Sequence, residues 1–266
     1  MKDLIKGLRE FQSSYVPQNK ALLQELAQGQ HPRVLFITCS DSRVQPELIT
    51  QSDLGDLFVI RNAGNIVPPY GATNGGEGAT IEYAIKSLEV RHIVVCGHTT
   101  CGAMKGLLQV GELEHKMPLV YNWLKHTEAT REMVEEHYSH LGKPEKLATL
   151  VAENVLTQID NLRTYPSVRS HLHKNEIALH GWIYNIEDGS VLTYDRKNHT
   201  FVPPFSSLED YDNNNRAPSY SNSTQIRGLV KAFSRTARSH LSRFPPPFII
   251  ASSRPPRKHL LTLLPS

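Results

Sequence analysis

The sequence predicts an α/β fold with a mostly parallel central sheet, an antiparallel edge strand and flanking helices, followed by a basic extension. Three observations predict it. Short apolar, β-branched runs at 34–38, 57–60 and 92–96 stop at polar turns and alternate with segments of helical spacing, the pattern of buried parallel strands joined by helices. Two later runs, 176–186 and 190–195, flank Glu187, Asp188 and Gly189, a hairpin signal that places an antiparallel strand at the edge. The chain has 266 residues, 39% of them hydrophobic, which suffices for a sizeable core.

Taken in order, the chain opens on an amphipathic helix in which Leu4, Ile5, Leu8 and Phe11 stand among charged residues. A second helix is expected around 19–28, and both are placed to pack against a neighbour or a partner subunit. The first strand is expected over 33–38, a helical turn over 45–51 and the second strand over 57–61. Residues 62–78 form a loop with five glycines and the pair Pro68-Pro69. Its stretch from Gly75 to Gly78 lacks both the G-x-G-x-x-G spacing and a Lys-Ser/Thr ending, so it is read as a tight loop lining a pocket and not as a phosphate cradle. A helix over 79–90 carries Ile81, Ala84, Ile85 and Leu88 at helical spacing. The third strand follows over 92–96, and two long helices span 118–141 and 145–162.

The chemistry gathers at two strand ends. Cys39 closes the first strand and opens the turn Cys39, Ser40, Asp41, Ser42, Arg43; His98 and Cys101 follow the third strand. Two thiolates and an imidazole on neighbouring strand ends make a three-ligand soft site, and a catalytic zinc is normally held by three protein ligands with a fourth position open. A structural zinc wants four protein ligands, and the chain has only three cysteines. Cys96 lies inside a strand and is read as core, alternating away from the His98 side. His92, His115, His137 and His180 are read as surface or supporting groups. Asp41 and Arg43 are two residues apart, so a bidentate contact can form within the loop and hold Asp41 ionised. Asp41 can then accept a hydrogen bond from a zinc-bound hydroxide and aim it at a substrate, or it can occupy the open coordination position itself.

Composition bounds the setting. Three cysteines are an odd and badly spaced set for a disulfide framework, which favours reduced thiols and a cytoplasmic location. The first residues lack an apolar signal core, and no apolar run approaches the roughly 18 residues of a membrane span. Residues 213–266 hold nine of the 29 Lys and Arg and none of the 26 Asp and Glu, which leaves an acidic body of 20 basic and 26 acidic residues ahead of a basic extension. From about Asp210 the chain turns rich in Asn, Ser and Pro, a linker or disordered composition. Within it, Ile226, Leu229, Val230, Phe233, Ala237 and Leu241 can share one helical face, and the clusters at 248–250 and 260–264 can serve as docking anchors. The expected organisation is 1–205 as the metal-bearing domain and 206–266 as a partner-binding extension. Sparse aromatic residues there argue against nucleic acid.

The residues also carry a resemblance. The turn 39–43, the blocks at 61–65 and 68–70, and the Gly97-His98-x-x-Cys101-Gly102 block resemble the signature of the β-class carbonic anhydrases in order and separation. The resemblance covers about residues 1–205. It implies one zinc per chain on Cys39, His98 and Cys101, an Asp41–Arg43 dyad, and reversible hydration of carbon dioxide to bicarbonate with zinc hydroxide as nucleophile. It implies an obligate homodimer, often assembled further, with active sites at the subunit interface. Gln30 resembles the family glutamine that reaches the neighbouring subunit's pocket. Phe58, Ala63, Val67 and Tyr83 resemble the apolar lining, and the Gly102 backbone resembles the donor directed at the substrate carboxylate. Some bacterial members have a Trp and a Gly forming an inhibitory bicarbonate site where this chain has Phe36 and Thr38, so that gated subtype is not expected.

With its extension the chain is most similar to the cyanobacterial carboxysomal enzymes of the class. That similarity implies a role in supplying carbon dioxide to Rubisco inside the carboxysome shell, with the extension binding a scaffold or shell protein. Two rivals stand beside it: a carboxysome-associated scaffold module with little turnover, against which the intact Asp41–Arg43 pair counts, and a zinc hydrolase of carbon disulfide or carbonyl sulfide, which pocket access would decide.

Overall fold

Period-two alternation of apolar residues builds the sheet, and the computed structural model describes it within residues 1–73 and 75–204. Six strands, β1 Val34–Cys39, β2 Leu57–Asn62, β3 His92–His98, β4 Ala178–Tyr184, β5 Val191–Asp195 and β6 Thr200–Val202, lie in the order β2-β1-β3-β4-β5-β6. The first four are parallel, and β5 and β6 add antiparallel at one edge. The fold class, the parallel core strands and the hairpin at 187–189 agree with the sequence reading. Strand β6 was not foreseen, because three residues are too few to show alternation.

The helices are α1 Lys2–Glu10, α2 Val16–Gln18 beyond a π-helical turn, α3 Lys20–Leu26, α4 Pro46–Thr50, α5 Gly76–Lys86, α6 Gly102–Leu107, α7 Val110–Lys116, α8 Pro118–Leu124, α9 Glu128–His137, α10 Lys143–Thr164 and α11 Pro166–His173. Leu35, Ile37, Ile93, Val95, Leu179 and Ile183 face a core shared with α5, α6 and α10. Helix α10 can lie close on the sheet because Gly97 faces it: a Cβ there would meet Val155 Cγ2 at 2.8 Å and Val151 Cγ1 at 3.2 Å. The opposite set, Phe36, Val94 and Cys96, forms a smaller cluster with Trp182 and Tyr184.

Three expectations need correction. The helix expected over 118–141 is two helices joined by a 3-10 turn at Lys125–Thr127. Thr127 leaves helical geometry there, at φ −126° and ψ 16°, and is buried with its hydroxyl donating to Asn154 Oδ1 at 2.9 Å. Helix α5 starts at Gly76, inside the expected glycine loop. Glu77 in its first turn and the Thr80 hydroxyl on the Gly76 carbonyl at 2.7 Å support a start that glycine's low propensity hides. Cys96 is core as expected, fully buried, but residues 94, 96 and 98 share one face of β3 by the two-residue repeat. Depth along the strand, not facing, separates Cys96 from His98.

Helix α10 also buries Glu153, 6% exposed, and burial pushes its carboxyl from an ordinary value of 4.5 up to about 7. Between these values the folded chain holds a proton that the unfolded chain has released. Stability therefore falls as pH rises through this window and is level above it, with a slope of up to about 1.4 kcal/mol per pH unit. Glu153→Gln is expected to stabilise the protein more at pH ~8 than at pH ~5, read from urea midpoints at the two pH values. An equal effect at both would show that Glu153 is ionised in the folded state.

The extension expected over 206–266, with its helical face and apolar clusters, lies outside the described residues. The described residues sit in one compact unit, and none of their helices is long and apolar enough to cross a membrane.

Candidate metal centre

Parallel pairing of β1 and β3, with Thr38 opposite Cys96, brings Cys39 and His98 out at the same carboxyl edge of the sheet, where open α/β sheets place their sites. After His98 the chain turns through Thr100 at φ 56°, left-handed backbone that a β-branched residue rarely adopts. That turn sets buried Cys101 immediately ahead of α6.

The three donor atoms lie within 4.8 Å of one another, all on buried residues. Cys39 Sγ and Cys101 Sγ are 3.9 Å apart, against about 3.8 Å for the edge of a tetrahedron with Zn–S bonds of about 2.3 Å. His98 Nδ1 lies 2.9 Å from the Thr99 carbonyl oxygen. A carbonyl only accepts, so Nδ1 carries the proton and Nε2 is left bare. Nε2 is buried and has no hydrogen-bond partner among the described residues. An orphaned imidazole nitrogen beside two thiols is what a metal ligand set requires, and the residues fit zinc.

Electrostatics agree. The Cys101 contact is the largest influence drawing the Cys39 thiol down, and the Gly64 backbone N–H, 3.4 Å from Cys39 Sγ, helps it. Cys101 is pushed up by the Cys39 thiolate beside it and by burial. The pair thus gives up one proton readily and resists losing the second, a conflict that a divalent cation resolves.

Asp41 stands at the mouth. Its Oδ1 accepts from the Arg43 backbone N–H at 3.0 Å and from Nε at 2.9 Å, and its Oδ2 accepts from Nη2 at 2.7 Å. These contacts hold its carboxyl well below the usual carboxylate range. Oδ2 lies 3.9 Å from His98 Nε2. Arg61 braces the same turn, donating from Nη2 to the Asp41 carbonyl at 2.8 Å and from Nε to the Cys39 carbonyl at 3.2 Å.

The structure therefore brings Cys39, His98, Cys101, Asp41 and Arg43 together. Of the remaining positions singled out in the sequence, the Phe58 and Tyr83 rings lie 6.0 Å apart, Val67 is fully buried, and Ala63 and Gly102 are exposed. Gln30 is exposed on the segment before β1. Residues that sequence reasoning missed include Gly64 and the buried polar side chains Asn154 and Gln158 on α10. Asn154 and Gln158 left a signal, two polar residues four apart on a helix that also buries Leu150, Val151, Val155, Ile159 and Leu162.

An open, mostly parallel sheet presenting two thiols, one bare imidazole nitrogen and a fixed carboxylate at its strand ends defines a metal-dependent enzyme of the three-ligand kind. A family profile described as carbonic anhydrase matches residues 34–191, and the chain belongs to that family, within its β class. A carbonic anhydrase of Synechocystis sp. is 59% identical over 208 residues, 78% of this chain and 76% of that protein. The solved β-carbonic anhydrase CcaA is 60% identical, with a TM-score of 0.76 over 77% of this chain and 99% of that one. One of two tetrameric β-carbonic anhydrases from Sordaria macrospora is 30% identical, with a TM-score of 0.66 over 72% of this chain and 95% of that one.

Proposed function

We propose that this chain interconverts carbon dioxide and bicarbonate with one zinc ion held by Cys39, His98 and Cys101. The observation that carries the reading is the orphaned Nε2 of His98, 3.9 Å from Asp41 Oδ2, on a side chain that clusters with both thiols. Zinc bound there supplies a water acidic enough to attack at neutral pH. Asp41, kept ionised by Arg43, accepts a hydrogen bond from the attacking water and aims it at the substrate. Phe58, Ala63, Val67 and Tyr83 form the apolar wall suited to carbon dioxide. The Gly102 amide, in the first turn of α6 and without an intrahelical acceptor, donates to the carboxylate that forms.

Stopped-flow hydration assays on carbon dioxide, carbonyl sulfide and carbon disulfide test this reading side by side. Fast turnover of carbon dioxide is the expected result. Turnover of the sulfur compounds alone would replace it with the hydrolase reading, and a zinc-loaded protein inert to all three would favour a scaffold role.

The working unit is a homodimer or a larger assembly of dimers. Leu4 and Leu8 on α1 and Phe11 at the start of the π-helical turn that follows are 67%, 60% and 47% exposed, an apolar face that a second copy would cover, and Gln30 would reach that copy's pocket. The setting is cytoplasmic, within the carboxysome, where the enzyme supplies carbon dioxide to Rubisco. This is supported by the basic extension and by the cyanobacterial relative, which likewise has about a quarter of its length outside the match. A truncation after Asp212 is expected to keep carbon dioxide hydration and to lose co-sedimentation with carboxysomes. A truncated protein that still co-sediments would remove the extension from targeting.

A further inference from the structure

Trp123, half-buried on α8, donates from its indole Nε1–H to the Ala63 carbonyl at 2.8 Å. That carbonyl belongs to the same peptide unit as the Gly64 N–H, which donates to Cys39 Sγ at 3.4 Å. The next carbonyl along, that of Gly64, accepts from Asn154 Nδ2 at 2.9 Å. Asn154 is itself fixed: it is 1% exposed, and its Oδ1 accepts from the Thr127 hydroxyl at 2.9 Å and from Gln158 Nε2 at 2.8 Å. Gln158 Oε1 holds the Val67 N–H at 2.9 Å. Gly64 sits at φ 83°, and a Cβ on it would lie 2.9 Å from Met104 Cε, so the backbone turns there as glycine allows.

We propose that Trp123 is a positioning residue for the metal centre: through the Ala63–Gly64 peptide it orients and polarises the amide that donates to the Cys39 sulfur. The proposal rests on the zinc reading above. A donor on the carbonyl end of a peptide withdraws charge from its N–H end and strengthens the hydrogen bond made there. The relay then stabilises the Cys39 thiolate and limits the charge it gives to a metal. Asn154 and Gln158 fix the loop from the α10 side, so the amide cannot swing away when the site is empty.

The test is Trp123→Phe, which keeps a ring at the half-exposed position and removes only the donor, compared with wild type as cobalt-substituted proteins. The variant's sulfur-to-cobalt charge-transfer band is expected at longer wavelength, because a thiolate that loses a hydrogen bond is a better electron donor. Chelator competition is expected to show cobalt held about 10-fold more weakly, at the low end of the range for partners of metal ligands. An unmoved band with unchanged affinity would overturn the proposal. Wild type that takes up no cobalt at all would overturn the zinc reading and the proposal with it. Cadmium-substituted wild type gives a check that needs no variant: scalar coupling between the metal and the Gly64 amide proton is expected through the sulfur, and its absence would remove the Gly64 link.

Discussion

His98→Ala is expected to abolish zinc binding and carbon dioxide hydration together. The side chain is fully buried, its Nδ1–H is committed to the Thr99 carbonyl, and its Nε2 has no hydrogen-bond partner among the described residues. Removing it leaves two thiols at 3.9 Å, too few donors for a catalytic site. Without zinc the pKa of water rises from about 7 back to the far higher value of bulk water, so the loss in kcat is expected on the order of 10³-fold or more. Metal analysis and stopped-flow hydration on the same preparation check both halves. A His98→Ala protein that keeps a full complement of zinc and normal turnover would mean the metal sits elsewhere.

Asp41→Ala is expected to leave zinc in place and still lose about 10² to 10⁴ in kcat, the range for a positioned acid–base group. Asp41 is not one of the three clustered donors, and its oxygens are held by Arg43. Asp41→Asn separates shape from charge: it keeps the size of the side chain and removes the negative charge that the attacking water needs. The two variants should be similarly impaired if charge is what matters. Near-normal turnover in Asp41→Asn would reduce Asp41 to packing, and loss of zinc from either variant would make it a ligand.

Much of this was legible because the strongest signals were local. Cys39, Asp41 and Arg43 fall within five residues, and His98 and Cys101 within four, so once β1 and β3 are adjacent their encounter is settled by parallel register. The Asp41–Arg43 contact needs only one loop. The groups that fix the Cys39 sulfur were not legible in the same way. Trp123 meets Ala63 across 60 residues and Asn154 meets Gly64 across 90, contacts that depend on where α8 and α10 come to rest. The break between α8 and α9 was hidden for the same reason: Thr127, where it falls, is buried against Asn154, 27 residues away. Cys96 shows the reverse case, since strand periodicity alone was enough to place it on the His98 face.

The central claim is that one zinc on Cys39, His98 and Cys101 makes this chain a carbonic anhydrase. Titration of zinc into the metal-free protein, with carbon dioxide hydration followed at each addition, tests it most directly. Activity should be absent at the start, rise in proportion to zinc, and level off at one ion per chain. Hydration by the metal-free protein, or zinc taken up to one per chain without hydration, would contradict the claim.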